Sequence, residues 1–190
     1  MSIYKILLYA FIEIVFCAFL YIFIYFLNDF SLSWLKDIQG VHWIFLPAGL
    51  RIFITLIFNI NGAIGLLIGS ALVGYHLNYF AGDLITLAGA AIISALAPWL
   101  GRFFVIHNLD VEPDLSNLTN KDIYLSVIAY SFLSSLLHQI WFSVRGLESG
   151  SIPHFIAMFI GDVVGSFIII TFAKFIISSL TPLHKKKTIR

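Results

Sequence analysis

Long apolar stretches separated by short polar segments dominate the sequence. A helix that crosses a hydrocarbon core of about 30 Å needs about 20 apolar residues. Six stretches approach that length: Ile3–Leu27, two within Val41–Phe80, Leu84–Val105, Ile123–Val144 and Ile152 to about Leu180. The pattern therefore predicts an all-α, polytopic membrane helix bundle. We expect residues 1–180 to form its single domain and residues 181–190 to form a basic tail.

The apolar region Val41–Phe80 is long enough for two crossings only if the chain reverses inside it. Asn59, Asn61 and Gly62 lie near its middle, and asparagine and glycine tolerate the left-handed conformations of tight turns. We therefore expect the second predicted helix to end, and the third to begin, near residues 59–62.

Composition excludes several classes of function. The chain is 60% apolar and 11% charged, with a mean hydropathy of +0.97, whereas soluble domains are about 45–50% apolar and about 25% charged. Too few polar residues remain for a soluble catalytic or DNA-binding domain. The net charge of +1 gives no basic field for nucleic acid. The single cysteine, Cys17, rules out a disulfide framework and a Cys-based zinc cluster.

The distribution of lysine and arginine predicts the orientation, because cytoplasmic connections carry an excess of both. With six crossings, both termini fall on the side that holds most of these residues. That side collects Lys5, Arg102, Lys121, Lys174, Lys185, Lys186, Lys187 and Arg190, against Lys36 and Arg145 on the other. We therefore expect both termini in the cytoplasm.

Three ionisable side chains, Glu13, Arg51 and Asp162, lie inside the predicted spans. A charge at the bilayer centre costs about 2.5–3.5 kcal/mol on insertion scales, so such groups usually face the bundle interior and find partners. Each lies about ten residues, or about 15 Å, from its own surface, which places all three near the midplane. We therefore expect them to meet.

Three interpretations of these charges stay open at this point. Arg51 could pair with Asp162 or Glu13 as a packing lock. It could instead bind the carboxylate or phosphate of a ligand, with Asp162 as its orienting partner and Glu13 as a second acid. The two acids could also form a simple proton relay.

Pro47 interrupts the segment that carries Arg51, because proline removes a backbone donor and kinks or breaks a helix. A complete break would start a new helix near Pro47, whose positive end would suit an anion. Trp43 and Pro47 would then shape a pocket. His138 could line it from the fifth segment, together with His42 and His154.

No constellation for catalysis or metal binding is found. Ser70 and Ser151 follow glycines but lack the Gly-x-Ser-x-Gly context of a nucleophile, and no His-x-x-x-His spacing occurs. We expect no enzyme, no metal and no cofactor. Small residues recur at helical spacing in Gly65/Gly69, Ala91/Ala95 and Gly161/Gly165, which predicts close helix–helix packing.

Two motifs resemble the MASE1 group of membrane sensory domains, which precede bacterial diguanylate cyclases and histidine kinases. The first is Trp43-Ile44-Phe45-Leu46-Pro47-Ala48-Gly49-Leu50-Arg51, and the second is Gly161-Asp162-Val163-Val164-Gly165. The likeness covers about residues 40–177. MASE1 regions generally have more crossings and a tryptophan before Gly-Asp, where this chain has Met158-Phe159.

The resemblance implies a multi-pass sensory protein of the bacterial inner membrane that binds a small ligand within the bundle. No output domain follows Leu180, so we expect it to act through a partner protein in the membrane. The alternative is a substrate-binding or permease subunit of a transporter, which would dock on an energising module. A third class, a structural assembly factor, would need no cavity.

Overall fold

The protein is an all-helical bundle, as the sequence predicts. The computed structural model describes residues 2–38 and 41–185, with side chains over 2–36 and 41–176. Its helices are α1 (Ile3–Leu32), α2 (Leu46–His76), α3 (Leu84–Asn108), α4 (Asn120–Val144) and α5 (Ile152–Lys185). A 3₁₀ turn (Ser33–Leu35) and two short strands, β1 (Lys36–Ile38) and β2 (Val41–His42), join α1 to α2.

Within the described ranges, five helices are long and apolar enough to cross a membrane. The protein is therefore a multi-pass membrane protein by length and composition, and the prediction of six separate helices is not confirmed. α5 extends past the predicted end at Leu180. Residues 186–190, which complete the predicted basic tail, lie outside the described residues.

The second predicted segment does not begin at Val41. β2 pairs antiparallel with β1, with Lys36 opposite His42, and Phe45 is extended (φ −129°, ψ 89°). Pro47 occupies the first turn of α2, where its missing N–H costs nothing. The predicted interruption is thus a complete break, because proline starts the helix and does not kink it.

α2 reverses at Asn59, whose φ of 48° and ψ of −124° are not helical. A Cβ on Gly62 would lie 2.6 Å from the carbonyl oxygen of Ile54, although eight residues of straight helix would separate the two by about 12 Å. Tyr21 of α1 contacts both Arg51 and Gly69. The two limbs, residues 46–58 and 60–76, therefore run antiparallel, and the turn lies where the sequence predicts it.

We call the end of the bundle that carries β1, β2 and residues 77–83 the strand end, and the opposite end, with Asn59 and residues 109–119, the turn end. At the turn end, Arg102 donates to the carbonyl of Leu56 at 2.9 Å. The indole of Trp99 donates to Asn59 Oδ1 at 3.1 Å. These bonds fix the reversal of α2 against α3.

At the strand end, Asp83 joins the start of α3 to the end of α4. Its carboxylate accepts hydrogen bonds from Thr86 and forms an ion pair with Arg145 at 2.8 Å. These hydrogen bonds, those from Thr86 first, hold the pKa of Asp83 well below its usual range. Trp141 packs against Gly89 and donates to the carbonyl of Thr86 at 3.0 Å.

The small-residue pairs serve two different contacts. A Cβ on Gly65 would lie 2.6 Å from Cys17 Cβ of α1, so this stripe mediates helix–helix packing as predicted. Gly161 and Gly165 of α5 instead contact the carbonyls of His42 and Phe45 in the extended chain before α2. The amide of Phe45 donates to the carbonyl of Gly161 at 3.1 Å. The two glycines of the Gly-Asp-x-x-Gly motif therefore allow the extended segment 42–45 to pack directly against α5.

We predict that Gly165→Ala destabilises the protein by about 1–3 kcal/mol, because the added methyl group would overlap the backbone of Phe45. Thermal or denaturant unfolding in detergent measures the change. Gly101→Ala is the matched control, since its Cβ would lie 3.3 Å from Tyr130 Cβ and 3.4 Å from Ile52 Cδ1. An equal loss in both variants would contradict the proposed backbone contact.

Candidate functional site

Arg51 lies on the second turn of α2 in the protein interior, where it is 4% exposed. Its Nη2 donates to the hydroxyl of Tyr21 at 2.8 Å. The guanidinium carbon lies 5.3 Å from the centre of the Tyr21 ring and 5.1 Å from that of Phe45, within range of cation–π attraction. Its Nε and Nη1 have no hydrogen-bond partner among the described residues. Tyr21 and Phe45 thus hold the side chain in place, and Tyr130 and Asp162 lie within electrostatic range of its guanidinium.

The start of α2 is fixed from two sides, which determines where Arg51 lies. The amide of Leu46 donates to Asn28 Oδ1 of α1 at 2.9 Å, so a side chain of another helix satisfies one of the free N–H groups of the first turn. Gly49 lets α2 approach α5, because a Cβ there would lie 2.7 Å from Ser166 Cα.

A small cavity of about 60 Å³ lies beside Arg51, toward the strand end. Of the described residues, those that line it include no carboxylate. Its polar lining comes from Tyr21, Tyr25, His42, Arg51, Ser70, Tyr79, Ser94 and His138, and its apolar lining from residues such as Phe45, Phe142 and Met158. One fixed positive charge and several hydroxyl and imidazole groups therefore face a space that no described carboxylate lines, although Asp162 lies within electrostatic range of Arg51 from outside the cavity. This arrangement suits an anion.

Two histidines of the cavity wall differ in their partners. His42 is 3% exposed and stacks on Phe45 at 5.3 Å between ring centres. Neither of its ring nitrogens has a hydrogen-bond partner in the part of the chain described. Burial, and then the charge of Lys36, lower the pKa of His42 from 6.5 to about 4. His138, predicted to line a pocket, does so, with Nδ1 2.8 Å from the carbonyl of Ser134.

Arg51, Asp162 and Glu13 do not meet as the sequence analysis expects. Glu13 lies at the turn end and accepts a hydrogen bond from Asn61 at 2.7 Å. Asp162 is fully buried, yet across the described ranges it forms no ion pair with Arg51 and does not line the cavity. The packing lock with a direct Arg51–carboxylate pair is therefore not found.

The expected start of the second segment at Val41 differs from the structure. α2 begins at Leu46, so Arg51 is only about 8 Å along its helix. Glu13 is at the level of the reversal near Asn61. Glu13 is thus separated from Arg51 along the bundle, whereas Asp162 lies within electrostatic range of Arg51 without forming an ion pair.

Trp43 and Pro47 also differ from the expected pocket-shaping role. Trp43 is 42% exposed, and its amide donates to the carbonyl of Leu35 at 3.0 Å. Pro47 is buried at the start of α2. Neither is among the described cavity-lining residues, so Pro47 acts on the cavity only by setting the start of the helix. His154 bonds to Ser151 at 2.6 Å and does not line the cavity either.

Sequence reasoning missed the tyrosines of the site. Tyr21 and Tyr25 follow each other at a spacing of four, with Asn28 three residues later, so all three lie on one face of α1. All three are buried, whereas most of the surrounding α1 side chains are exposed. The hydroxyls of Tyr25 and Tyr79 form a hydrogen bond beside the cavity. Polar groups at helical spacing on an apolar helix could have marked this face.

The described residues contain no group of three or more His, Cys, Asp or Glu side chains that could hold a metal ion. Comparison of the chain with protein families, with characterised proteins and with solved structures finds no match.

We predict that the free energy of unfolding falls by about 2 kcal/mol between pH 7 and pH 5 because of His42 alone. The unfolded chain takes up a proton near pH 6.5, whereas the native imidazole resists it down to about pH 4. Acid therefore favours the unfolded chain, and the contribution is fully present only above pH 6.5.

Unfolding curves at several pH values measure this slope. The variant His42→Gln should lose the His42 part of this slope, whereas His107→Gln, which removes an exposed histidine, should retain the pH dependence of the wild type. An unchanged slope in His42→Gln would show that the buried imidazole is not its source.

Proposed function

We propose that the protein is a membrane sensory protein of the MASE1 type that binds a small anionic ligand at Arg51. The observation that carries this proposal is the buried guanidinium with two free nitrogens on the wall of a cavity whose described lining has no carboxylate. A buried charge that forms no ion pair is costly in a membrane protein. An anion would supply a bonded partner, with the imidazole of His42 as a further donor.

The position of the cavity favours a receptor over a permease. The cavity extends from Arg51 to strand-end residues such as His42 and Tyr79, whereas at the turn end Arg102 and Trp99 bond to the reversal of α2. The pocket near Ile52, Leu115 and Ile170 at the turn end is apolar. A ligand could therefore bind from the strand end without a polar path to the turn end. Occupancy would be transmitted to a partner protein in the membrane, because the ligand site lies within the bundle itself.

The orientation is part of the same proposal. The antiparallel limbs of α2 support six passes of the chain, with both termini in the cytoplasm and the strand end outside. In a bacterial inner membrane, the cavity would then sample the periplasm.

We predict that reporter fusions after residue 190 and at residue 1 both report a cytoplasmic location. A reporter inserted in residues 77–83 should be periplasmic, as should one in residues 145–151, because both segments lie at the strand end. Alkaline phosphatase and fluorescent protein fusions provide the measurement. Termini on opposite sides would rule out six passes.

We predict that Arg51→Gln weakens binding of the anion by about 10- to 100-fold, the effect of losing a hydrogen bond to a charged group. The probes are acetate and inorganic phosphate as N-methylglucamine salts, compared with chloride at equal ionic strength. The melting temperature of the purified protein reports binding. Native mass spectrometry of gently extracted protein reports an anion that co-purifies.

Arg102→Gln is the matched control, because the Arg102 nitrogens already donate to the carbonyls of Leu56 and Pro113. It should lose stability but retain the response to anions. If neither probe stabilises the wild type and no anion co-purifies, the proposal fails. Flux of the bound anion across proteoliposomes would instead identify the transporter subunit.

A further inference from the structure

The unpartnered polar atoms of the interior fall into two chemically distinct groups. Among the described residues, the unpartnered buried nitrogens belong to His42 and Arg51. The unpartnered buried oxygens all lie on α4 and α5, on Tyr130, Ser131, Ser134, Ser135, Asp162 and Ser166. The unpartnered nitrogens thus belong to residues that line the cavity, whereas the unpartnered oxygens, which we call the oxygen cluster, belong to α4 and α5. The first group belongs to the anion site, and the second has no role there.

Asp162 is the centre of the oxygen cluster. Its relative exposure is 0%, and neither carboxylate oxygen accepts a hydrogen bond from any residue described. The hydroxyl of Ser134 approaches it from α4 without reaching hydrogen-bonding geometry. Tyr130 lies within electrostatic range of the same carboxylate. A buried carboxylate without a hydrogen-bonded partner is costly when it is ionised, and a bound cation would stabilise its charge.

Helical spacing brings the remaining hydroxyls to the same interface. Ser166 follows Asp162 by four residues, which places both on one face of α5. On α4, Ser135 lies one turn from Phe132 and from Gln139, and both of these contact α5. Packing alone does not require hydroxyls here, because apolar side chains of similar size would fill the interface without unpaired polar atoms.

We propose that Asp162, with the hydroxyls of Ser134 and Ser166, binds a dehydrated sodium ion between α4 and α5. Carboxylate and hydroxyl oxygens are hard ligands suited to a small, non-transition-metal cation. A single carboxylate balances one positive charge, which favours a monovalent over a divalent ion. The proposal rests on residues outside the cavity and does not require an anion at Arg51.

The two sites should nevertheless assist each other. Arg51 lies close enough to Asp162 to interact electrostatically but forms no ion pair with it in the described structure. Its positive charge opposes a cation at Asp162, and an anion at the cavity would offset that opposition. Binding of the anion and the cation would then be mutually favourable, because such coupling is reciprocal.

Direct binding of ²²Na⁺ to the purified full-length protein tests the proposal. A second measurement is the melting temperature in sodium, potassium and N-methylglucamine chloride at equal ionic strength. We expect sodium to bind and to raise the melting temperature by about 3–6 °C at ten times its dissociation constant. Potassium and N-methylglucamine should have a smaller effect.

Asp162→Asn should abolish sodium binding, and Ser134→Ala and Ser166→Ala should each weaken it by about tenfold or more. Ser126→Ala is the control, since Ser126 is a buried serine of α4 whose hydroxyl donates to the carbonyl of Asp122. It should bind sodium as the wild type does. Arg51→Gln should bind sodium at least as tightly while losing the anion, which separates this site from the proposed function.

Three results would overturn the proposal. The first is a wild type that binds no ²²Na⁺ and melts equally in all three chlorides, as expected if water alone fills the cluster. The second is sodium binding that survives in Asp162→Asn. The third applies if Asp162→Asn does not fold: unaltered sodium binding in both Ser134→Ala and Ser166→Ala would then reject the site.

Discussion

The close contact between the extended segment 42–45 and α5 is the constraint on which the site depends. Backbone meets backbone there because Gly161 and Gly165 have no side chains, and the amide of Phe45 bonds to the carbonyl of Gly161. This contact fixes the position along α5 at which the extended segment 42–45 ends. α2 must then begin at Leu46, which sets the height of Arg51 and places Phe45 against its guanidinium. The cavity follows from these positions, since His42 and Phe45 form part of its wall.

Hydrophobic patterning predicts the helices well, because lipid imposes long apolar segments of limited length. It also locates the reversal of α2, since asparagine and glycine interrupt an otherwise apolar region near Asn59. It fails at residues 41–45, which are apolar enough to be counted as helix but are extended. Pro47 contained the signal for that boundary, because proline is favoured in the first turn of a helix and disfavoured inside it. Whether the chain kinks or breaks there depends on the contact with α5, which sequence alone does not reveal.

The site was predictable in its residue types but not in its pairings. Arg51 and His138 line one cavity, whereas Glu13 bonds to Asn61 and Asp162 forms no direct pair in the described structure. Counting residues from a surface gives depth only when the true helix start is known. The partners of a buried charge also depend on which helix faces lie together. The role of Tyr21 as the acceptor for Arg51 is therefore visible only once α1 is seen against both limbs of α2.

The brevity of the first limb of α2 has a consequence for the surrounding bilayer. Residues 46–58 make about 20 Å of helix, which is shorter than a hydrocarbon core of about 30 Å. The reversal at Asn59 consequently stops short of the far headgroups unless the lipid thins around this corner. Polar side chains of neighbouring helices bond to the reversal: Trp99 of α3 bonds to Asn59, and Glu13 of α1 bonds to Asn61. The hydrophobic mismatch at this corner is therefore compatible with an acidic residue of α1, Glu13, at the same depth.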